Sequence, residues 1–323
     1  MSFYKGFAKG FAVNKVTCAK DGKGTVSSYE FPTECFRDCA PSSSVYHHIE
    51  VGGSTTHDKR TGAVKSSRIT IGEKVGIREL MGDAIWLLTS RVSQYFSSDR
   101  RKGATIGRCV HAAAETLGNN SAAIVLQEGG IATTAGTFSV AAATGGWSAA
   151  RASRACSISA VTGECDVANA SDVNSAAVGT GSFNAVTVRG TGSVAGTTGS
   201  NSVTLTDGMR SSASATGDGS LSEAVGTGSI AASTGNDSRT WSAGQKSVAC
   251  VTGDASAAEV SSESSIAVAW GRGSSAKGMT GSFLLLSEWK NGTLKDARLV
   301  RVDGTDILPN TAYILRDGRV LPA

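Results

Sequence analysis

From Gly103 to Ser282 the chain divides into twenty consecutive nonapeptides without one insertion. Ser stands first in fifteen of the twenty, and Gly stands seventh in fourteen. The third position is always Ala, Ser, Thr or Val, and the fifth is always Gly, Ala, Ser, Thr or Val. An unbroken register over 180 residues is the mark of a solenoid, in which each coil packs only on its neighbours.

Alternation supplies the geometry. Position 4, between the two small positions, admits Glu115, Arg151, Asn169, Trp241, Glu259 and Lys277. Successive residues of a strand face opposite sides, so positions 3 and 5 point inward and position 4 outward. The Gly-rich steps at positions 7 to 9 turn the corner. Ser at position 1 can hydrogen-bond the turn backbone or the serine of the next coil. An interior of Ala, Ser and Thr fits only between two sheets lying close together. The fold class expected is therefore mainly β, a narrow two-faced β-solenoid.

Nine residues make one strand and one turn, so a closed coil takes two nonapeptides, 18 residues. In alternate repeats position 4 reads Ile106, Ile124, Ala142, Ala160, Val178, Gly196, Ser214, Ala232, Cys250 and Val268. The intervening repeats read Glu115, Thr133, Arg151, Asn169, Thr187, Leu205, Glu223, Trp241, Glu259 and Lys277. One face is uncharged and the other mixed. Position 6 of the uncharged face is Thr144, Thr162, Thr180, Thr198, Thr216, Thr234 and Thr252 in succession. Position 2 of that face includes Val140, Ile158, Val194, Ile230, Val248 and Ile266. With strands about 4.8 Å apart, ten coils make a rod about 48 Å long.

Open solenoid ends would pair with other chains unless covered. Residues 76–102 are expected to supply a cap: Ile77, Met81, Ile85, Leu88, Val92 and Phe96 fall near helical spacing, and this amphipathic helix is expected to pack over the first coil. Residues 283–323 read as two hairpins, turning at Asn291-Gly292 and Asp317-Gly318, which would close the far end. Residues 1–75 read as a small α+β unit with short strands around Phe3–Phe7, Tyr29–Phe31, Tyr46–Val51 and Arg68–Ile71.

Composition agrees with order set by the backbone rather than by a bulky core: 40 glycines among 323 residues and only 6% aromatics. Residues 1–102 carry a net charge of +6, residues 103–282 of −3 and residues 283–323 of +1. The basic residues of the first segment are scattered apart from Arg100, Arg101 and Lys102, so nucleic acid is not the expected partner. A solenoid at −3 is also too weakly charged for DNA mimicry. Seven cysteines without regular disulfide spacing suit a reducing compartment. The N-terminal MSFYKGFAKG lacks the apolar centre of a secretion signal, and no run has the length of a membrane span.

The segments outside the repeats carry a resemblance. FYKGF at the start, CFRDC at 35–39, YHHIEVGG at 46–53 and KSSRITIGEKVGIREL at 65–80 resemble a domain of phage and prophage proteins. In that family the domain precedes Ser-Ala-Thr-Gly repeats and a C-terminal segment like ARLVRVDGTDILPNTAYILRDG. Arg37 stands where the family commonly has a His, and the stretch after Cys39 is shorter here. The resemblance implies a phage setting, in the cytoplasm of an infected host or in the virion, and no particular reaction.

Few residues suggest chemistry. Cys35, Cys39, His47 and His57 are the candidate zinc ligands or thiol–imidazole pair, but C-x3-C followed by His-His has no standard metal spacing, and nothing in the sequence orients a His toward a Cys. GKG at 22–24 and GRG at 271–273 lack the rest of a phosphate-loop pattern. Asp218, Asn236 and Asp254 share position 8 on alternate repeats, too few carboxylates for a calcium ladder. No cofactor is expected and no enzyme.

The uncharged face, Thr144 to Thr252 with Val140 to Ile266, is the expected interface, and a second copy of the chain the expected partner. Other phage or host proteins would meet the N-terminal unit or the caps. The alternatives are an intracellular phage factor binding a host protein or a small signalling ligand, and an ice-binding protein using the threonine row.

Overall fold

The computed structural model describes residues 3–9, 16–18, 26–58, 63–92, 104–108 and 110–323. Within 104–323 the chain winds as a β-solenoid of about ten turns, with parallel strands recurring 18 residues apart. Strands of the uncharged face, from Ala104–Gly107 to Ile266–Ala269, stack into one sheet. Those of the mixed face, from Ala113–Thr116 to Ser275–Lys277, stack into the other. Each sheet reaches twelve strands with its C-terminal additions. Thr144, Thr162, Thr180 and Thr198 pair in register down the first sheet.

Side-chain direction follows the alternation. Ala141, Ala177, Ala195 and Ala231 at position 3, and Val125, Val161 and Val251 at position 5, are fully or almost fully buried. Position 1 also points inward, and its serines form two internal ladders. In each, a Ser N–H donates to the Ser Oγ one coil on, as in Ser211 to Ser229 (3.2 Å) and Ser229 to Ser247 (3.3 Å). The same hydroxyls donate to the corner carbonyl of the preceding coil, for example Ser229 Oγ to Gly208 O at 2.9 Å. Ser recurs because a short hydroxyl there satisfies two backbone groups that would otherwise lie buried without partners.

Gly at position 7 answers to a different constraint. Corner backbones of successive coils stack so closely that a Cβ on Gly217 would run into the carbonyl of Gly199. Gly181, Gly235, Gly253 and Gly271 face the same obstacle. Positive φ is not their common reason: Gly181 has φ 109°, but Gly217, Gly235, Gly253 and Gly271 are not among the positive-φ glycines. The residue that is left-handed at every corner is position 9, from His111 to Gly273, and it includes Phe138, Trp147, Cys156 and Lys246 at φ 53–57°. Position 9 needs no glycine, because the ladder bonds on both sides impose its conformation.

At the far end the last nonapeptide is one residue short. Phe283 pairs with Ile266, 17 residues back, so the strand Phe283–Lys290 continues the solenoid before turning at Asn291-Gly292 into Thr293–Arg301. The domain boundary drawn at residue 283 therefore falls inside the stacked sheet. The second hairpin, Ala312–Arg316 with Arg319–Pro322, pairs antiparallel with Ser275–Lys277. Leu284, Leu286, Val302, Tyr313 and Leu315 fill the end and pack on Val251 and Val260. Larger side chains are needed here because no further coil covers the interior.

The N-terminal unit is a small barrel. Strands β1 (Phe3–Ala8), β2 (Val16–Cys18), β3 (Val26–Tyr29), β4 (Ser44–His57) and β5 (Ala63–Val75) pair antiparallel. The sheet closes on itself because β1 pairs with both β3 and β4, and β5 with both β3 and β4. Phe3, Phe7, Ile49, Val64, Ile69 and Ile71 fill it. A 3-10 helix, Pro32–Arg37, and α1 (Ile77–Val92) lie outside it.

The position of α1 corrects the expectation from sequence. It does not lie over the first coil; it lies beside the rod, on the mixed face. Leu80, Met81 and Ala84 on it are buried, and Thr187 Oγ1 lies 3.7 Å from Met81 Sδ. Thr187 and Leu205 are uncharged at position 4 on that face and buried, so they offer a surface that an apolar helix can cover. Residues 93–102, the rest of the expected cap and linker, and Gly103 lie outside the described residues.

Candidate functional site

The two faces of the rod have different fates. On the mixed face, Ala149, Val167, Ala185, Val203 and Leu221 at position 2 are buried by the chain's own N-terminal unit. They join Tyr4, Tyr29, Phe31, Phe36, Tyr46, Leu80 and Met81 in one core. Polar contacts fix the docking at the adjacent corner. Trp147 Nε1 donates to Glu34 Oε1 at 2.8 Å, and Thr33 Oγ1 donates to Cys165 O at 3.2 Å. Arg37 pairs with Glu164 at 3.1 Å and stacks over the Phe183 ring at 4.9 Å. Arg37 is thus a docking residue. Sequence reasoning missed this surface, although position 2 of that face is apolar in every coil from Ala113 to Leu221.

The uncharged face carries no such cover among the described residues. Val140 (37% exposed), Ile158 (45%), Val178 (40%), Val194 (52%) and Ile230 (45%) stand out from it. Val248 and Ile266 are half-buried by their neighbours. Thr162, Thr198, Thr216, Thr234 and Thr252 are exposed, and Thr144 and Thr180 half-buried. No residue at positions 2, 4 or 6 is charged from Ala122 to Trp270 on this face. Five residues of strand span about 16 Å, so ten coils present a strip of about 800 Å².

The cysteine and histidine candidates are not brought together. Cys35 is fully buried on the 3-10 helix, and Cys39 follows it, half-buried. Burial, first among the causes, pushes the Cys35 thiol well above its ordinary pKa and raises that of Cys39. Both thiols are held in the protonated form, the opposite of what a nucleophile requires. His47 is buried beside the Phe7 ring, with Nδ1 3.0 Å from Gly72 O. His57 is exposed at the far end of the same strand, roughly 30 Å away. His48 points the other way, toward Tyr4 and Asp83: Tyr4 Oη donates to Asp83 Oδ2 at 3.1 Å, and His48 Nε2 lies 3.8 Å from it. These contacts tie α1 to the barrel. Among the described residues no three His, Cys, Asp or Glu side chains are grouped to hold a metal ion.

Position 8 also has a structural explanation. Asp218 Oδ1 accepts from Asn236 N (2.7 Å), Asn236 Oδ1 from Asp254 N (2.8 Å), and Asp254 Oδ1 from Arg272 N (2.8 Å). Each side chain caps the corner of the next coil.

One member of the inner ladder is anomalous. Asp166 stands where Ser is usual; its Oδ1 accepts from Ser148 N at 2.7 Å while Oδ2 is buried without a partner. Burial pushes its pKa up to about 8, and the Ser148 N–H offsets this only in part.

These features define a two-faced β-solenoid with one face occupied by its own N-terminal barrel. Comparison with family profiles, with curated proteins and with solved structures gives no match. Among the described residues no helix is long and apolar enough to cross a membrane.

Proposed function

We propose that this chain is a non-enzymatic structural protein, a rigid rod that self-associates through its uncharged face and, given the resemblance of its flanking segments, a phage component in the host cytoplasm or virion. The observation that carries this reading is the contrast between faces: the chain covers much of the mixed face with its own barrel, whereas among the described residues nothing covers the uncharged one. Two copies apposed on a strip of about 800 Å² each would bury about 1,600 Å², the size of a standard stable interface. The strip is flat, built on backbone-bonded sheet, and needs little ordering on contact, which favours association. A second copy fits better than a charged partner, because an uncharged surface offers nothing for a charged one to pair with.

The expected result in solution is an oligomer whose mass does not fall as salt rises to 1 M. Apolar contacts are not screened, whereas charge-driven association weakens as the Debye length shrinks to about 3 Å. Sedimentation equilibrium at low and high salt checks this. A monomer at all concentrations would remove the proposal and bring forward the alternative that the threonine row meets ice, read directly by an ice-recrystallisation assay.

A further inference from the structure

Where the mixed face emerges from under the barrel, two cavities of about 470 and 570 Å³ adjoin. They share Lys9, Arg239 and Glu259, so they form one groove between the barrel and the last coils. Self-association, on the opposite face, makes no use of it. We infer that this groove binds an aromatic phosphomonoester of mononucleotide size, with the ring on Trp241 and the phosphate at Lys9 and Lys74.

The charges lining the groove select that class. Glu259 accepts from Arg239 at 2.6 Å and from Lys277 at 3.0 Å, so its carboxylate is already neutralised and its partners are fixed in place. Lys9 Nζ donates to Ser42 O at 2.9 Å; among the described residues neither Lys9 nor Lys74 makes a direct ion pair, and Glu259 acts on Lys9 only from farther off. Two such ammonium groups match the two charges of a phosphomonoester. Glu223 and Asp237 also line the groove, leaving it only weakly cationic overall; that favours one compact dianion seated at the lysines over a polyanion. Trp241, half-buried at position 4, lines the same cavity as Leu221, Val75 and Ile77. It gives an aromatic ring a face to stack on, and stacking of that kind is tolerant of which base is offered. Each of the two cavities alone lies within the range of small-molecule sites.

Isothermal titration of the full chain with AMP, adenosine, 1-naphthoate and inorganic phosphate tests this. The expected outcome is saturable AMP binding, with adenosine and phosphate each at least tenfold weaker. Lys9→Ala and Trp241→Ala should each weaken AMP tenfold or more with unchanged far-UV dichroism, and Arg151→Ala, on the same face outside the groove, should leave it unchanged. Naphthoate binding as tightly as AMP would overturn the phosphate assignment. AMP failing to bind at millimolar concentration, or binding equally to the Lys9 and Trp241 variants, would overturn the site. Neither outcome touches self-association, which uses the opposite face.

Discussion

Asp166→Asn is expected to stabilise the protein by about 3 kcal/mol at pH 8 and by almost nothing near pH 4. The next coil shows why the amide fits. Asn184 occupies the equivalent ladder position; its Oδ1 accepts from Asp166 N at 2.8 Å, and its Nδ2 donates to Gly163 O and Gly181 O at 3.1 and 3.0 Å. Asp166 can make the matching donation only while it is protonated. With a folded pKa of about 8 against an ordinary 3.8, the folded state binds the extra proton between those values. Stability from this group is therefore complete below about pH 4 and lost as pH rises through 8. Each pH unit between the ordinary and the folded value is worth about 1.4 kcal/mol, and relaxation around the carboxylate reduces the total from its upper limit. Urea unfolding of both proteins at pH 4 and pH 8 measures the difference. A variant less stable than the parent at pH 8 would show that the carboxylate is ionised and held by partners other than those seen.

Gly217→Ala should cost about 3 kcal/mol or more, while Gly196→Ala should be neutral or slightly stabilising. A Cβ at 217 collides with the Gly199 carbonyl and lies 2.5 Å from the Ser200 amide nitrogen. These are backbone atoms, so two coils must move apart and the ladder bonds around them lengthen. Gly196 has nothing within 4 Å of its would-be Cβ; there Ala removes only unfolded-state freedom, worth about 0.4–1 kcal/mol. Thermal unfolding of the pair separates steric stacking from backbone entropy as the reason for glycine at the corners. Equal losses at both sites would contradict the stacking account.

The repeat was legible because each of its positions has one job. Inward positions are small, the ladder position carries a hydroxyl, the stacked corner excludes a Cβ, and each demand leaves a mark in coil after coil. Position 9 was not legible: the same left-handed backbone holds His111, Phe138, Trp147 and Lys246, so the fold imposes the conformation and the residue does not report it. The short final coil was hidden because Gly281 takes the left-handed corner and Ser282 the start of the next coil one residue early, and neither residue type marks the missing position. The placement of α1 and the barrel was missed for another reason. Docking rests on contacts such as Arg37 with Glu164, 127 residues apart, and no local period encodes them. The apolar position 2 run on the mixed face was the available signal, masked by charges at position 4 of the same strands. The uncharged face was legible in the sequence, since its threonines recur once per coil from Thr144 to Thr252 and its charges are missing from the same positions.

The decisive measurement is the mass in solution, by light scattering at one concentration, of the parent chain, of Thr180→Lys with Thr216→Lys, and of Arg151→Glu. Two lysines would place four charges in the middle of a symmetric apposed pair, each costly to desolvate without a partner. Self-association through the uncharged face predicts an oligomeric parent, a folded monomeric double variant and an Arg151→Glu protein with the parent's mass. An oligomer that survives the two lysines but dissolves with Arg151→Glu would place the contact on the mixed face and contradict the account.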